Sequence, residues 1–374
     1  MYSLLLIGPM KNKKDASLTG GAVVLFENLL EQMNEQNINY KVIDTNKKNY
    51  SNTLVAYFSI LFQILVKQFG VTHISLHSSR DYIFFAPFII LIGKAFGKTT
   101  SLRKFGGEAW DTYTFTSGIK KRLLNFIFKH IDFLFLEMQI LVQNFTKINK
   151  NTFWFPNVRN KPTIQIKEKH FSKKFVFISH VKKEKGIDEI VEAKKLLDES
   201  YTIDIYGPIY NEKYSSEYFK SVAISYKGTL KPDEVLSTLS LYDVLLLPSY
   251  KEGYPGIILE SYSVGIPIIS TKLAGLQEIT DEYKTGILVE PQNVKELKKA
   301  IEYFSEDNYE QMSNSAKEKF SIFDSQKQTK QFIDIILKKK SYIDEKTADK
   351  RLDKLKEGKE KLISAEDVFK ELGI

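Results

Sequence analysis

Cysteine is absent from this chain of 374 residues, and so are long apolar runs. Without cysteine there can be no disulfides, no thiolate metal site and no cysteine nucleophile, and the composition fits a reducing compartment. The longest apolar runs, residues 54–66 and 82–92, fall short of the roughly 20 residues that span a bilayer, so they predict buried or interfacial helices. Residues 2–7 are too short for the apolar region of a signal peptide and predict a first strand.

Positive charge is unevenly distributed along the chain. The net charge is +8, but residues 1–160 contain 19 Lys and Arg against 10 Asp and Glu, and the remainder contains 35 against 36. A basic half with apolar helices is typical of proteins that bind nucleic acid or an anionic membrane face. Since no nucleic-acid motif accompanies it, a membrane surface or a lipid-phosphate acceptor is favoured. The plainer alternative is a basic surface with no such partner.

Short apolar runs alternate with longer amphipathic ones in both halves of the chain. In the first half, strands are predicted at residues 4–7, 40–44, 71–77, 99–105, 133–136 and 152–155, with helices between them. This alternation predicts a parallel sheet covered on both faces. The pattern stops near residue 156, a polar, lysine-rich stretch at 158–172 predicts a linker, and a second alternating unit begins at 174.

The most informative segment contains two glutamates with seven residues between them, Glu252-Gly-Tyr-Pro-Gly-Ile-Ile-Leu-Glu260. An apolar strand precedes it, a helix is predicted at 255–264, and the next strand follows at 267–271. A glycine-rich loop before a helix presents free backbone N–H groups and a positive dipole end to an anion. Carboxylates beside such a loop can accept hydrogen bonds from hydroxyl groups. Phosphate together with hydroxyls indicates a sugar nucleotide.

The segment resembles the donor site of retaining glycosyltransferases of the GT-B fold, in particular family 4 (glycosyl transferases group 1). Two glutamates on a helix are commonly only a solvated face, but here the surrounding family pattern is also present, in order. The matching residues are Pro248, Ser249, Glu252, Gly253, Gly256, Leu259, Glu260, Gly265, Pro267, Gly275, Glu278, Gly286, Leu288, Val289 and Pro291.

The resemblance implies an α/β protein of GT-B architecture, with two doubly wound Rossmann-like domains facing a central cleft and a helical C-terminal extension. The implied organisation is an acceptor-binding domain at 1–157, a nucleotide-sugar-binding domain at 173–324, a crossover helix at 325–338 and a charged helical tail at 339–374. The tail is outside the family pattern. It is interpreted as a solvated extension, with a fused segment as the alternative.

The resemblance also implies roles for individual residues. Lys185 would stabilise the negative charge of the departing diphosphate, and Glu252 would contact the donor sugar and the transition state. Glu260 would accept hydrogen bonds from the ribose. Backbone N–H groups of residues 254–257 would hold the diphosphate. The further donor-binding residues are Gly20, Gly21, His180, Gly207, Gly253, Tyr254, Pro255, Gly256 and Ile257.

Two positions depart from the family pattern. His180 stands where the family has arginine, so diphosphate binding would be weaker or would also use Lys182. Phe105 replaces a histidine that touches the donor, and Arg103, Lys104 or Glu108 are the candidates to compensate. His73, His77 and His130 fit no pattern and are predicted to be core or surface residues. Asp-x-Asp, a metal-binding pattern of other glycosyltransferases, occurs nowhere.

The function that follows is transfer of a sugar from a nucleotide-diphosphate sugar to a glycan or lipid-linked sugar acceptor in capsule or O-antigen synthesis. No metal or other cofactor is expected. The expected location is the cytoplasm, with peripheral contact between the basic N-terminal domain and the inner membrane face. The alternatives are a non-catalytic nucleotide-sugar- or glycan-binding partner subunit on the same fold, and nucleic-acid binding through the basic domain, which is not expected.

Overall fold

The computed structural model describes residues 3–14, 20–165 and 170–337, which divide into two compact units. Unit 1 comprises Met1–Pro156 together with Ser325–Ile374, and unit 2 is Asn157–Asp324. The predicted tail at 339–374 lies outside the described residues. None of the helices in the described part is long and apolar enough to cross a membrane.

Unit 1 contains a six-stranded parallel sheet with the order β2-β1-β3-β4-β5-β6. The strands are β1 Leu4–Gly8, β2 Tyr40–Asp44, β3 His73–Ser78, β4 Thr99–Lys104, β5 Phe133–Leu136 and β6 Thr152–Trp154. The helices are α1 Gly21–Glu35, α2 Thr53–Lys67, α3 Tyr82–Ala95, α4 Ala109–Phe115, α5 Gly118–His130 and α6 Gln139–Thr146. Strands such as β1 are continuously apolar and buried because helices cover both faces of a parallel sheet.

Unit 2 repeats this architecture with the strand order β12-β11-β10-β7-β8-β9, and all of its strand pairs are parallel. The strands are β7 Lys174–Ile178, β8 Thr202–Tyr206, β9 Ser225–Tyr226, β10 Val244–Leu247, β11 Ile268–Thr271 and β12 Gly286–Val289. The helices are α7 Ile187–Lys195, α8 Ser216–Ser221, α9 Val235–Leu239, α10 Gly256–Ser263, α11 Ala274–Ile279, α12 Val294–Tyr303 and α13 Glu306–Phe320. The predicted pair of doubly wound α/β sheets is confirmed.

A last helix, α14, covers residues 325–337 and belongs to unit 1. Its Phe332 lies against the rings of His77, Phe135 and Phe155, with ring centroids 6.0, 4.8 and 5.4 Å away. His77 also contacts Phe26 of α1, so α1 and α14 cover the same face of the sheet. His73 and His77, predicted to be core or surface residues, are buried in the core.

Two local features follow from short-range contacts. Helix α7 ends at Lys195, and beyond it Asp198 accepts hydrogen bonds from the backbone N–H and hydroxyl of Ser200, which favours a turn. Residues 108–117 contain α4, where Trp110 packs edge-on against Phe145 of α6.

Candidate functional site

The sheet of unit 2 changes direction between β7 and β10. From β7 the chain moves outward through β8 and β9, and it then returns to place β10 on the other side of β7. In open α/β sheets, ligands bind outside the carboxyl ends of the strands at such a switch point. Lys185 follows β7 and Glu252 follows β10, so both predicted catalytic residues lie at this point.

Lys185 and Glu252 form an ion pair at the switch point, with the ammonium group of Lys185 donating to Oε1 of Glu252. Their side chains are only 17% and 11% exposed, so the pair is largely shielded from water. The neighbouring Gly186 has φ +79°, and an added Cβ would lie 2.2 Å from the carbonyl oxygen of Pro248. Glycine is therefore required for the turn that carries Lys185 to pack against the end of β10.

His180 stands at the position where the family pattern has arginine, and its pKa is lowered. Burial lowers its pKa below the usual value, and the positive charges of Lys185 and Lys182 lower it further, although Glu252 opposes them. The ring of His180 lies against that of Tyr210, with centroids 4.9 Å apart. His180 therefore supplies no fixed positive charge near pH 7, and Lys185 carries the charge on this side of the site.

The loop of Gly253, Tyr254 and Pro255 leads directly into α10. Pro255 is the N-cap residue, and no side chain caps the helix. The first-turn amides of Gly256 and Ile257 have no carbonyl partner within the helix and point out of its positive end. One prediction is corrected here, because Pro255 has no N–H group and cannot donate to a diphosphate. The side chain of Tyr254 is buried, and its carbonyl oxygen accepts from Asn157.

Arg159 is a charged residue of this site, although it lies in the stretch predicted to be a linker. Its backbone N–H donates to the carbonyl of Phe323, and its Nη1 donates to Oδ1 of Asn157 and to the carbonyl of Val158. Its Nε donates to Oε1 of Glu260 over 2.5 Å. The composition of this stretch contained no signal for the contact, since 101 positions separate the partners.

Gly256 makes room for the Arg159 guanidinium. An ideal Cβ at position 256 would lie 1.5 Å from Nη2 and 2.4 Å from Cζ of Arg159. Arg159 therefore lies directly over the first residue of α10 while it holds Glu260, which is 23% exposed. Each of the two glutamates thus has its own cation, Lys185 for Glu252 and Arg159 for Glu260.

Gly207 has a clear packing role. Its φ is +134°, and an added Cβ would lie 1.8 Å from the carbonyl oxygen of Ser179. This close approach brings the end of β8 against the end of β7, beside His180. Contact between Gly207 and a donor stays a prediction.

The predicted residues of unit 1 have different environments. Gly20 and Gly21 begin α1, and an added Cβ at either position would meet nothing within 4 Å, so packing among the described residues does not require glycine there. Phe105 is buried at the end of β4, and the Arg103 guanidinium lies 5.2 Å from its ring centroid.

Arg103 is not available to replace the missing histidine. It is fully buried, stacks 3.5 Å from the ring centroid of Phe155 and donates to the carbonyl of Pro156. Lys104 is also buried, and its ammonium group bonds to the carbonyl of Phe105. Burial lowers the pKa of Lys104 to about 8, although Glu137 and Glu108 oppose the shift.

Comparison with known proteins agrees with the geometry of unit 2. Residues 160–319 match the family model described as glycosyl transferases group 1. This region contains both glutamates, their lysine and the whole sheet of unit 2. Residues 160–319 are therefore similar to the glycosyl transferases group 1 family.

Curated relatives match this glycosyl transferases group 1 region over part of their length. N,N'-diacetylbacillosaminyl-diphospho-undecaprenol alpha-1,3-N-acetylgalactosaminyltransferase of Campylobacter jejuni is 27% identical over 161 residues, which are 42% of this chain and 39% of that protein. The putative colanic acid biosynthesis glycosyltransferase WcaL of Escherichia coli is 28% identical over 144 residues, 35% of this chain and 36% of that protein. The matches therefore span well under half the length of these relatives.

Solved structures share the fold over nearly the whole chain. HepE of Anabaena in complex with UDP has a TM-score of 0.66 at 13% identity, covering 89% of this chain and 99% of that one. The lipopolysaccharide outer core galactosyltransferase WaaB has a TM-score of 0.66 at 14% identity, covering 90% and 99%. The glycosyl transferases group 1 region is thus part of a GT-B fold.

Two further features of the described residues concern ligands. No group of three or more His, Asp or Glu side chains in this part of the chain could hold a metal ion. A cavity of about 560 Å³ is lined by Lys174, Tyr201 and Asp204, among others, at the amino ends of β7 and β8. It contains none of the predicted site residues, and the switch-point rule favours the opposite edge of the sheet.

Proposed function

We propose that the protein is a retaining glycosyltransferase. It transfers a sugar, a hexose, from a nucleotide-diphosphate sugar to a glycan or lipid-linked acceptor in surface polysaccharide synthesis, without a bound metal. The observation that carries this proposal is the Lys185–Glu252 ion pair at the switch point of a glycosyl transferases group 1 region. The cytoplasm is the proposed location, with unit 1 in contact with the inner membrane face.

In the proposed complex the diphosphate lies at the start of α10. The amides of Gly256 and Ile257 and the positive end of the helix favour an anion there. Lys185 adds a positive charge that turns from Glu252 to the diphosphate when the donor binds, so it is in place before the sugar–phosphate bond breaks. Preorganised charges of this kind stabilise the negative charge that develops on a leaving group.

The two glutamates have different proposed roles. Glu260 binds the ribose through Oε2, because Oε1 already accepts from Arg159. Glu252 lies beside the sugar, where its negative charge stabilises positive charge developing at the anomeric carbon. Release of Glu252 from Lys185 upon donor binding makes that charge available when the transition state forms.

A panel of UDP-, GDP- and ADP-sugars tests this function. We expect one nucleotide to stabilise the protein against thermal unfolding and the corresponding sugar nucleotide to support transfer or slow hydrolysis. Lys185→Ala should lower turnover by roughly 100-fold, the effect of removing one stabilising group. Lys183→Ala is the matched control, because Lys183 lies in the same turn and is exposed.

Two outcomes would change the proposal. Nucleotide release that survives both Lys185→Ala and Glu252→Ala would refute the site. Tight nucleotide binding without any transfer or hydrolysis would favour the second candidate, a non-catalytic binding subunit. The specific observation that favours this second candidate is His180, a residue with a lowered pKa where the family pattern has a permanent cation.

A further inference from the structure

Helix α2 turns an apolar face towards solvent. Only a narrow stripe, Ala56, Ile60 and Ile64, is buried against unit 1. The opposite face carries Leu54, Phe58 and Phe62 at helical spacing, and Phe69 follows just after the helix. These four side chains are between 60% and 72% exposed. A helix that is apolar on both sides while one side faces water needs a partner for the exposed side.

Helix α3 continues the same surface. Phe84 lies beside Tyr57 of α2 with ring centroids 5.2 Å apart, and Phe96 lies edge-on to Phe69 at 5.8 Å. We call Leu54, Phe58, Phe62, Phe69, Phe84 and Phe96 the α2–α3 apolar face. If a fully exposed phenylalanine presents about 200 Å², this face exposes roughly 700 Å². The largest apolar patch of an ordinary monomer is about 300–600 Å².

Positive charges outnumber negative ones in the part of the chain that carries this face. Neither α2 nor α3 contains an Asp or Glu. Residues 40–130 contain 13 Lys and Arg against 4 Asp and Glu, although Arg103 and Lys104 are buried. The ammonium group of Lys47 lies 4.7 Å from the ring centroid of Tyr57 and is paired with Asp81, whereas that of Lys41 bonds to the carbonyl of Phe69. Helix α5, which packs against α3, presents exposed Lys120 and Arg122.

We propose that the α2–α3 apolar face docks unit 1 on an anionic lipid bilayer. The five phenylalanines and the leucine of this face enter the boundary between headgroups and acyl chains, and nearby lysines and arginines meet the anionic headgroups. This combination defines an interfacial helix, which lies on a membrane without crossing it. A protein partner would require complementary acidic groups around its own apolar patch, whereas an anionic bilayer supplies both in one surface. The inference rests on the membrane contact in the proposed function and assigns the residues that make it.

Co-sedimentation with vesicles tests the docking surface. We expect the full chain to bind vesicles of phosphatidylcholine with phosphatidylglycerol, to bind pure phosphatidylcholine much more weakly, and to lose affinity as salt is raised. The double variant Phe58→Ser/Phe62→Ser should lower the partition coefficient by about 10-fold or more, since two large apolar side chains no longer enter the lipid. Lys120→Glu/Arg122→Glu should lower binding to the anionic vesicles only.

Leu241→Ser is the matched control, because Leu241 is 67% exposed but belongs to unit 2. This variant should bind vesicles like the wild type. The proposal is overturned if the wild type does not bind anionic vesicles or if the Phe58/Phe62 variant binds them equally well. It is also overturned if Phe58→Ser/Phe62→Ser converts a dimer to a monomer without changing vesicle binding. Nucleotide binding is measured on the same samples, so failure of the donor site is recorded separately from failure of the membrane surface.

Discussion

Alanine at position 256 should break the contact between Arg159 and Glu260 while leaving both charged residues in the chain. The added Cβ would lie 1.5 Å from Nη2 of Arg159, far inside any permitted contact, so the guanidinium must move. A hydrogen bond to a charged group contributes about 1.5–3 kcal/mol. Since Arg159 and Glu260 are 16% and 23% exposed, we expect the lower end of that range. Gly→Ala itself stabilises by about 0.4–1 kcal/mol.

Whether Gly256→Ala stabilises or destabilises the protein depends on the presence of Arg159. Gly256→Ala should destabilise the wild type by about 1 kcal/mol, whereas in the Arg159→Ala background it should stabilise by roughly 0.5 kcal/mol. The free energy of unfolding of the four proteins, measured in urea, gives a double-mutant cycle. If Glu260 loses one ribose contact of about 1 kcal/mol, the affinity for the nucleotide that stabilises the wild type should fall by about 5-fold in each single variant. The double variant should show no further loss of affinity.

Gly21→Ala is the control for the intrinsic effect of alanine at a helix start, because nothing lies within 4 Å of its added Cβ. It should stabilise the protein slightly. If Gly256→Ala lowers the free energy of unfolding equally with and without Arg159, the added methyl group does not displace the guanidinium. The reasoning would then be wrong.

Three further predictions follow from individual groups. Between pH 8 and 10.5 Lys104 is protonated in the unfolded chain but has lost its proton in the folded protein, so the free energy of unfolding should rise with pH in this range. The variant Lys104→Met should not show this rise. In denaturant titrations at pH 7 it should be more stable than the wild type by up to about 3 kcal/mol. His180→Arg should place a permanent cation beside Lys185 and tighten nucleoside diphosphate binding by about 5-fold in calorimetry, at some cost in stability without ligand. Gly20→Ala should leave the thermal midpoint unchanged or higher yet reduce transfer if the start of α1 approaches the donor; unchanged transfer would remove Gly20 from the site.

Many local features of this fold could be predicted because the information lies within a few neighbouring residues. The apolar run of β10, the turn after Glu252 and the helix of Glu260 appear in sequence order. A continuous apolar run of four or five residues between polar turns has few alternatives to a buried parallel strand.

Other features depended on groups that are distant in the chain. Arg159 lies in a stretch whose composition is typical of a linker, and its partner Glu260 is 101 positions away. Arg103 was a candidate for the donor site, but the fold stacks it on Phe155 within the core. The exposure of the apolar face of α2 could not be predicted either, because its apolar run predicted a buried helix as readily as an interfacial one.

The sequence by itself determined the two α/β sheets, the carboxylate pair and the likeness of residues 160–319 to glycosyl transferases group 1, because periodicity and spacing are local properties of a chain. Only the tertiary structure decided which cation each carboxylate meets, Lys185 for Glu252 and Arg159 for Glu260. The physical reason is the crossover between β7 and β10, which brings separate loops to one edge of the sheet. Pairing there depends on distance in space, which no local pattern encodes.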